Sequence, residues 1–323
     1  MAESIIPVDL FNPGQVFACL GFMELADVLL GEAEAGFDWT EPSQPRFHLS
    51  VPSDQEPVPF VLKFITSSTV IPVAPLGYIT PKKKNKNGKN NNDGNYTSDH
   101  DTEVCSEHTK LEHSDTFSAS KADEMSLPVR FYNSDNNFIE LTHWADGSSR
   151  ASFKLYSGNR SAAHIINSML HGVREKPGKN KHQGKIKYKG IAQLLRENPE
   201  MFMERPFDIL TPIGGSFNFD SRGAWNALDA GYSPNTQKHG VVASPLVHLL
   251  AACGLENTRP VELANHQIRY CVWSCMLPVN IARVAFQGCI PSIPSRSFHF
   301  NLVLSGKNKI VTFAHEEKQH EDH

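Results

Sequence analysis

Residues 12–31, NPGQVFACLGFMELADVLLG, decide the fold class because they predict a helix that belongs in a protein interior. Asn12 can cap this helix, Pro13 suits its first turn, and Gly31 can end it. Apolar side chains cover most of the circumference, and the strongly polar positions are Gln15, Glu24 and Asp27. A helix that is apolar nearly all round is typical of a core, so we expect this segment to be largely buried.

Short segments rich in aromatic and β-branched residues follow this helix and predict strands. We expect strands at RFHLSV (46–51) and VPFVLKFI (58–65), an antiparallel meander at LPVRFY, FIELTHW and SFKLY (127–156), and later strands at YCVWSCM (270–276), SFHFNLVLS (297–305) and KIVTFA (309–314). The last two are joined by GKNK, which favours a hairpin.

Three further segments have the apolar spacing or the end signals of helices. Residues 157–173 and 189–202 repeat apolar side chains at the i, i+3, i+4 spacing. Residues 244–254 carry Ser244 as a cap and Pro245 at the first turn. Because strands and helices do not alternate regularly as βαβ units, we expect an α+β fold of antiparallel sheets with packed helices.

A change of composition interrupts the globular pattern at residues 80–126. This stretch begins TPKKKNKNGKNNNDGN, turns acidic, and has almost no aliphatic side chains. It cannot bury enough apolar surface to offset its chain entropy, so we interpret it as a flexible insertion. The chain then divides into an N-terminal α+β part, 1–156, and a C-terminal part, 157–323, that is helical and ends in antiparallel strands.

The composition fits an ordinary globular protein and carries no enzyme signature. The chain has 323 residues, 40% of them hydrophobic, and a net charge of -4, so any basic surface must be local. It lacks the G-x-S-x-G, H-E-x-x-H, phosphate-loop and dinucleotide-binding motifs. We therefore expect no catalytic residues, no cofactor and no metal site.

The six cysteines form no C-x-x-C pair, which argues against a zinc module. We interpret them as buried thiols that pack as small hydrophobic side chains; they are Cys19, Cys105, Cys253, Cys271, Cys275 and Cys289.

The sequence predicts neither a membrane span nor a secretory signal. The longest apolar run contains Glu24 and Asp27 and is shorter than the roughly 20 residues that a bilayer core requires. The first residues, MAESIIPVDLF, lack the positive and apolar regions of a signal peptide, so we expect a cytoplasmic protein.

A dense basic loop lies between the two middle helices. The segment REKPGKNKHQGKIKYKG, 174–190, contains Arg174 and six lysines but only one acidic residue, Glu175. Such local positive charge is typical of a surface that binds phosphates, although a solvated loop has the same composition. The candidate phosphate contacts are Lys176, Lys179, Lys181, Lys185, Lys187 and Lys189.

Two arginines and three asparagines near predicted helix starts are further candidates. Arg160 precedes the helix at 157–173, where Asn159 or Ser161 can act as the cap. Arg222 lies in the first turn of a helix predicted at 221–231, where the helix dipole does not favour a cation. Amide side chains can pair with adenine or with backbone groups, so the asparagine candidates are Asn159, Asn218 and Asn235.

The motifs together resemble a known family. They are IPVDLFNPGQVFACLGFMELADVLLG (6–31), GNRSAAHII (158–166), FNFDSRGAWNALDAGYSPN (217–235), ASPLVHLLAACGLENTRP (243–260) and RYCVWSCMLPVNIAR (269–283). This combination resembles the compact large-subunit proteins of type I-U CRISPR effector complexes, which are Cascade-like complexes that find DNA with a guide RNA. The likeness spans most of the chain outside 80–126 and the histidine-rich tail.

The resemblance implies a non-catalytic subunit of an antiviral ribonucleoprotein complex. It implies protospacer-adjacent motif recognition in target double-stranded DNA, with the guide RNA supplying sequence specificity. The implied partners are the guide-capping and backbone subunits and a recruited helicase-nuclease. Two alternatives stay open: a guide-RNA-binding backbone subunit of the same complex, and a metal-dependent nuclease.

Overall fold

A computed structural model of the chain describes residues 1–76, 78, 102–104, 112–114, 126–135, 137–144, 153–156, 160–175, 184–223, 242–264, 266–305 and 308–317. Within these residues the expected α+β class is confirmed, because helices pack against several small, mostly antiparallel sheets.

The central helix α1, Pro13–Leu30, forms as the sequence predicts. The Asn12 side chain accepts a hydrogen bond from the Gly14 amide at 3.1 Å, and Gly31 ends the helix with φ 79°. Among the described helices, α1 alone is long and apolar enough to cross a membrane, and most of it is buried inside the fold. Its burial is that of a core helix.

The other helices and the turns are shorter. They are α2 (Pro57–Ser67), α3 (Ala162–His171), α4 (Ile191–Glu197), α5 (Pro199–Glu204), α6 (Pro245–Gly254) and α7 (Val279–Phe286), with single 3-10 turns at Pro206–Asp208 and Ser221–Gly223. Ser161 caps α3 and Ser244 caps α6 through their side-chain oxygens.

Two predictions about these segments are corrected. Residues 58–65 belong to helix α2 and not to a strand, because a continuous apolar run does not distinguish a strand from a buried helix, and Pro57 starts the helix well. The single helix predicted at 189–202 is two helices, since Pro199 lacks the amide proton that would continue the first one.

The strands are β1 (Ala2–Pro7), β2 (Glu34–Asp38), β3 (Arg46–Val51), β4 (Thr69–Pro75), β5 (Thr102–Val104), β6 (Glu112–Ser114), β7 (Val129–Tyr132), β8 (Phe138–Leu141), β9 (Val173–Glu175), β10 (Ile186–Tyr188), β11 (Thr211–Pro212), β12 (Val242–Ala243), β13 (Val261–Ala264), β14 (Gln267–Trp273), β15 (Leu277–Pro278), β16 (Ser295–Ser305), β17 (Asn308–Val311) and β18 (His315–Glu316).

These strands form sheets in the orders β1-β3-β2-β15, β10-β9-β5, β11-β12, β6-β4-β7-β8 and β13-β14-β16-β17, with β18 also paired to β16. All described pairs are antiparallel except β4 with β6. The hairpin predicted between β16 and β17 is confirmed. Of the meander, β7 and β8 pair, whereas the described residues 153–156 are not in a strand.

The hydrophobic core continues from the first residues to the last described ones. Helix α1 packs against α6, and β15 extends the N-terminal sheet by pairing with β2. The Trp273 indole donates to the Ala35 carbonyl at 2.8 Å and packs edge-on against Phe37. The division at residue 156 stays a prediction about chain order, and the core is continuous across it.

The predicted insertion, 80–126, falls largely outside the described residues. Within it the structure describes β5, β6 and residue 126. Strand β5 pairs with β9, and β6 pairs with β4, so both strands add to sheets formed by the flanking chain.

Candidate nucleic-acid interface

The basic loop of the sequence forms the base of a hairpin. Strands β9 and β10 pair antiparallel, and the Glu175 amide donates to the Lys185 carbonyl at 2.8 Å. Residues 176–183, between the two strands, lie outside the described residues, and they include three candidate lysines, Lys176, Lys179 and Lys181.

The remaining three candidate lysines, Lys185, Lys187 and Lys189, lie on and beside β10, which is the edge strand of its sheet. We call these three residues the lysine edge. All three side chains are exposed. Alternate residues of a strand point to the same face, and an irregularity of the pairing between Ile186 and Tyr188 locally modifies this pattern. The structure therefore brings three of the predicted phosphate contacts onto one exposed edge.

Two members of the lysine edge have neighbours that orient them. The Lys189 ammonium lies 2.6 Å from the Glu197 carboxylate on α4. The Lys187 ammonium lies 5.4 Å from the centre of the Tyr188 ring, a cation–π distance. An exposed ion pair of this kind contributes little to stability, so Lys189 can exchange its partner for another anion.

Close backbone contact holds the base of the hairpin against the end of α3. A Cβ on Gly172, which has φ 80°, would lie 2.4 Å from the Tyr188 carbonyl oxygen. A Cβ on Gly190 would lie 2.3 Å from the Gly172 nitrogen. Only glycine fits at both positions, so α3, the lysine edge and α4 are held in one arrangement.

Gly214 connects Arg160 to the lysine edge. The Arg160 guanidinium donates a hydrogen bond to the Gly214 carbonyl. On the same glycine, a Cβ would meet the Tyr188 ring at 2.7 Å, so the ring packs directly against this backbone. The structure thus places Arg160 near Tyr188, although α3 and β9 lie between Arg160 and β10 in the sequence.

The N-terminus of α3, next to Arg160, is capped by the Ser161 side chain. The Ser161 hydroxyl accepts from the His164 amide at 3.3 Å, so Ser161 fills the capping role that the sequence left open between it and Asn159. Asn159 lies outside the described residues. Burial, together with the charge of Arg160, lowers the pKa of His164, which keeps this imidazole neutral beside the arginine.

Asn218 has a structural role in the loop that follows Gly214. Its backbone is left-handed, with φ 59°, a conformation that asparagine tolerates better than most residues. Its side-chain amide donates to the Leu155 carbonyl at 3.3 Å, and its side-chain oxygen accepts from the Ser216 hydroxyl at 2.8 Å. These contacts hold the loop, and nucleic-acid contact by Asn218 stays a prediction. Asn235 lies outside the described residues.

Arg222 is part of a polar group that we call the Asp220 cluster: Asn12, Asp220, Arg222, Ser244 and His248. The Arg222 guanidinium donates to both Asp220 carboxylate oxygens, at 2.9 and 2.8 Å, and to the Phe207 carbonyl at 2.8 Å. Its position in the turn Ser221–Gly223 is therefore explained by an ion pair. A contact between Arg222 and nucleic acid stays a prediction, as does the helix predicted at 221–231, of which the described residues include the 3-10 turn Ser221–Gly223.

Asp220 joins the starts of two helices that are distant in sequence. Its buried carboxylate accepts from the Asn12 side chain at 3.0 Å and from the Ser244 amide at 2.9 Å, and these residues cap α1 and α6. A carboxylate at a helix start is favoured by the helix dipole. The Asp220 cluster thus fixes the relative positions of α1 and α6.

The protonation states in the Asp220 cluster follow from burial and from Arg222. Burial by itself would raise the pKa of Asp220, but the hydrogen bonds and charge of Arg222 lower it to about 2. Burial lowers the pKa of His248 to about 4, against the opposing effect of Asp220. The neutral His248 Nδ1 accepts from the Phe219 amide at 3.0 Å and the Asp220 amide at 3.2 Å.

The described residues contain no group of three or more histidine, cysteine or acidic side chains arranged to hold a metal ion. Cys19, Cys253 and Cys271 are buried, as the sequence indicated, whereas Cys275 is partly buried and Cys289 is exposed. Burial raises the pKa of the Cys19 and Cys253 thiols, which keeps them protonated and unreactive.

The sequence does not indicate two contacts that organise this region. One is the packing of Gly214 against Tyr188, and the other is the hydrogen bond between Asn12 and Asp220. Gly214 is one of two adjacent glycines in a turn, and no local signal distinguishes it. Asn12 lies 208 residues from Asp220, and its signal as a helix cap was complete without a distant partner.

Comparison with models of protein families, with curated proteins and with solved structures finds no match to this chain.

Proposed function

We propose that the chain binds the phosphate backbone of nucleic acid through the lysine edge, with Arg160 beside it. The observation that carries the proposal is the exposure of three lysines on and beside one edge strand, which close glycine contacts hold against the end of α3. An acidic chain with a net charge of -4 concentrates positive charge at this place. Lysines that neutralise phosphates release counterions, which makes such a surface favourable for binding at moderate salt.

The geometry supports backbone contact better than base reading. Lysine ammonium groups bind phosphates as point charges and carry no sequence information by themselves. The Tyr188 ring packs against Gly214 and lies beside Lys187, so one of its faces is already covered. The lysine edge would therefore position the nucleic acid, and another component would supply sequence specificity.

The proposed biological setting is a type I CRISPR effector complex. The resemblance of five motifs to the compact large subunits of type I-U complexes supports it, together with a surface suited to positioning nucleic acid. In this setting the chain is a non-catalytic subunit in the cytoplasm that contributes to protospacer-adjacent motif recognition. Its partners are guide RNA, target double-stranded DNA, the guide-capping and backbone subunits and a recruited helicase-nuclease.

The direct test compares salt dependence in two triple variants. Replacing Lys185, Lys187 and Lys189 by alanine should weaken binding to oligonucleotides and reduce the slope of log affinity against log salt by up to about three units for duplex DNA and about two for single strands. The control variant replaces three exposed basic residues elsewhere, Arg46, Lys63 and Arg259, and should keep the wild-type slope. Fluorescence anisotropy at several salt concentrations measures both.

An unchanged slope in the lysine-edge variant contradicts the proposal and leaves the lysines the role of preventing edge-to-edge pairing of sheets. Reconstitution with a guide RNA and the neighbouring subunits tests the setting. One copy per complex agrees with a large subunit, several copies indicate a backbone subunit, and cleavage by the purified chain with added divalent ions indicates a nuclease.

A further inference from the structure

The outer face of the C-terminal sheet carries a row of polar side chains. Strands β14 and β16 pair in register, with Arg269 opposite His299 and Cys271 opposite Ser297. The intervening residues on these strands, such as Tyr270 and Phe298, are buried in the core. Because strand residues alternate between faces, the polar row points away from the core.

Arg269 differs from the other partly buried arginines with described contacts. In the described part of the chain its Nε is buried and has no hydrogen-bond partner. The other arginines of this kind each donate to an acceptor; they are Arg130, Arg160, Arg174, Arg222, Arg283 and Arg296. A buried donor without an acceptor costs free energy, so its retention points to an acceptor from outside the chain.

Further donors lie next to Arg269. His299 is its cross-strand partner, and His315 on β18 is in turn the partner of His299, with 5.8 Å between the ring centres. Glu317 brings an acid to this site, with its carboxylate 4.0 Å from His299 Nδ1. The site therefore contains three groups that can donate hydrogen bonds, one guanidinium and two imidazoles. The Glu317 carboxylate lies beside them.

We propose that Arg269, His299 and His315 form a binding site for a phosphate group. Arg269 supplies the charge and a planar set of donors, which matches an oxyanion. Cross-strand neighbours are about 5 Å apart, so a ligand must offer oxygens in several directions to reach both Arg269 and His299. A phosphate does so, whereas a carboxylate presents two oxygens in one plane. The site is separate from the lysine edge and does not depend on the proposed function.

The test titrates the full chain with inorganic phosphate and follows the imidazole signals of His299 and His315 by NMR. Arg269→Met keeps the aliphatic volume and removes the donors, and we expect it to weaken phosphate binding about tenfold or more. Arg259→Met removes an exposed arginine before β13 and should leave binding unchanged. Glu317→Gln removes the opposing charge and should tighten binding. Arg269→Met should not lower the melting temperature, because it removes an unsatisfied donor.

A parallel titration with an oligonucleotide distinguishes the sources of the phosphate. Weaker oligonucleotide binding by Arg269→Met assigns the site to a nucleic-acid backbone, and unchanged oligonucleotide binding assigns it to a small phosphorylated ligand. The absence of phosphate binding by the wild-type chain, or equal binding by wild type and Arg269→Met, would overturn the site. Either result leaves the lysine edge to be judged by its own variants.

Discussion

The backbones of Gly21 and Gly254 are in direct contact where α1 crosses α6. A Cβ on Gly21 would lie 2.1 Å from the Leu250 carbonyl oxygen, and a Cβ on Gly254 would lie 2.7 Å from the Gly21 nitrogen. Two helices can approach this closely only where neither has a side chain. This contact sets the distance between two largely buried helices.

Gly21→Ala should therefore destabilise the protein by about 3 kcal/mol, because the methyl group meets backbone that cannot move aside without separating the helices. The free energy of unfolding from urea denaturation measures this. Val28→Ala, at an exposed position of the same helix, is the control and should change stability by less than about 0.5 kcal/mol. Equal stability of the two variants would show that the helices can separate at little cost.

Removing either partner of the Asp220–Arg222 ion pair should destabilise the protein, and the two effects should not add. Arg222→Met leaves a buried carboxylate without its cation, and we expect a loss of about 3 kcal/mol in the free energy of unfolding. The double variant with Asp220→Asn should lose less than the sum of the two single losses. A stable Arg222→Met variant with weakened nucleic-acid binding would instead assign Arg222 to the interface.

Stability should fall in acid as the buried His248 and the partly buried His143 are forced to protonate. The folded pKa of His248 is about 4 and that of His143 about 3, both below the ordinary 6.5, because burial disfavours the charged form. The unfolded chain therefore binds more protons below about pH 6.5, and the stabilisation present above that pH is lost as the pH falls towards 4. For His248 the loss is on the order of 3 kcal/mol.

Urea denaturation at several pH values between 7 and 4 measures this loss. His143→Gln should reduce the pH dependence of stability, while Val28→Ala, at an exposed position without a titratable group, should not. A pH dependence that is the same in all three proteins would contradict a neutral, partly buried His143.

Releasing Lys189 from Glu197 should strengthen nucleic-acid binding. Glu197→Gln removes the carboxylate that lies 2.6 Å from the Lys189 ammonium. Lys189 can then bind a phosphate without first giving up its ion pair with Glu197. We expect affinity to rise a few fold at low salt and the increase to disappear at high salt. Glu204→Gln, on α5, is the matched control. Weaker binding by Glu197→Gln would mean that the ion pair positions Lys189 for contact.

Local signals in the sequence were enough to predict much of the fold. Helices α1 and α6 were readable because each carries its own cap, proline and apolar pattern. Helix α2 was not, since its continuous apolar run lacks the alternation that separates strands from helices, and only packing decides between them. Pro199 is a signal for a break between α4 and α5, but the apolar spacing continues across it and favours a single helix.

The candidate interface was predictable only where it depends on composition. The lysine edge follows from local charge density in one segment. Its proximity to Arg160 depends on Gly214, and the ion pair of Arg222 depends on a loop conformation that no periodicity encodes. Contacts between residues that are far apart in sequence arise from packing, and a single sequence contains no direct signal for them.

The packing of α1 on α6 also delays the burial of α1 during synthesis of the chain. When a ribosome has completed α1, about 215 residues must still be made before α6 begins to emerge and can receive it. At typical translation rates of about 5 to 20 residues per second, α6 is made roughly 10 to 40 s after α1. During that interval α2 and β3 can already pack on α1, but the face that α6 covers in the folded protein stays exposed on the nascent chain.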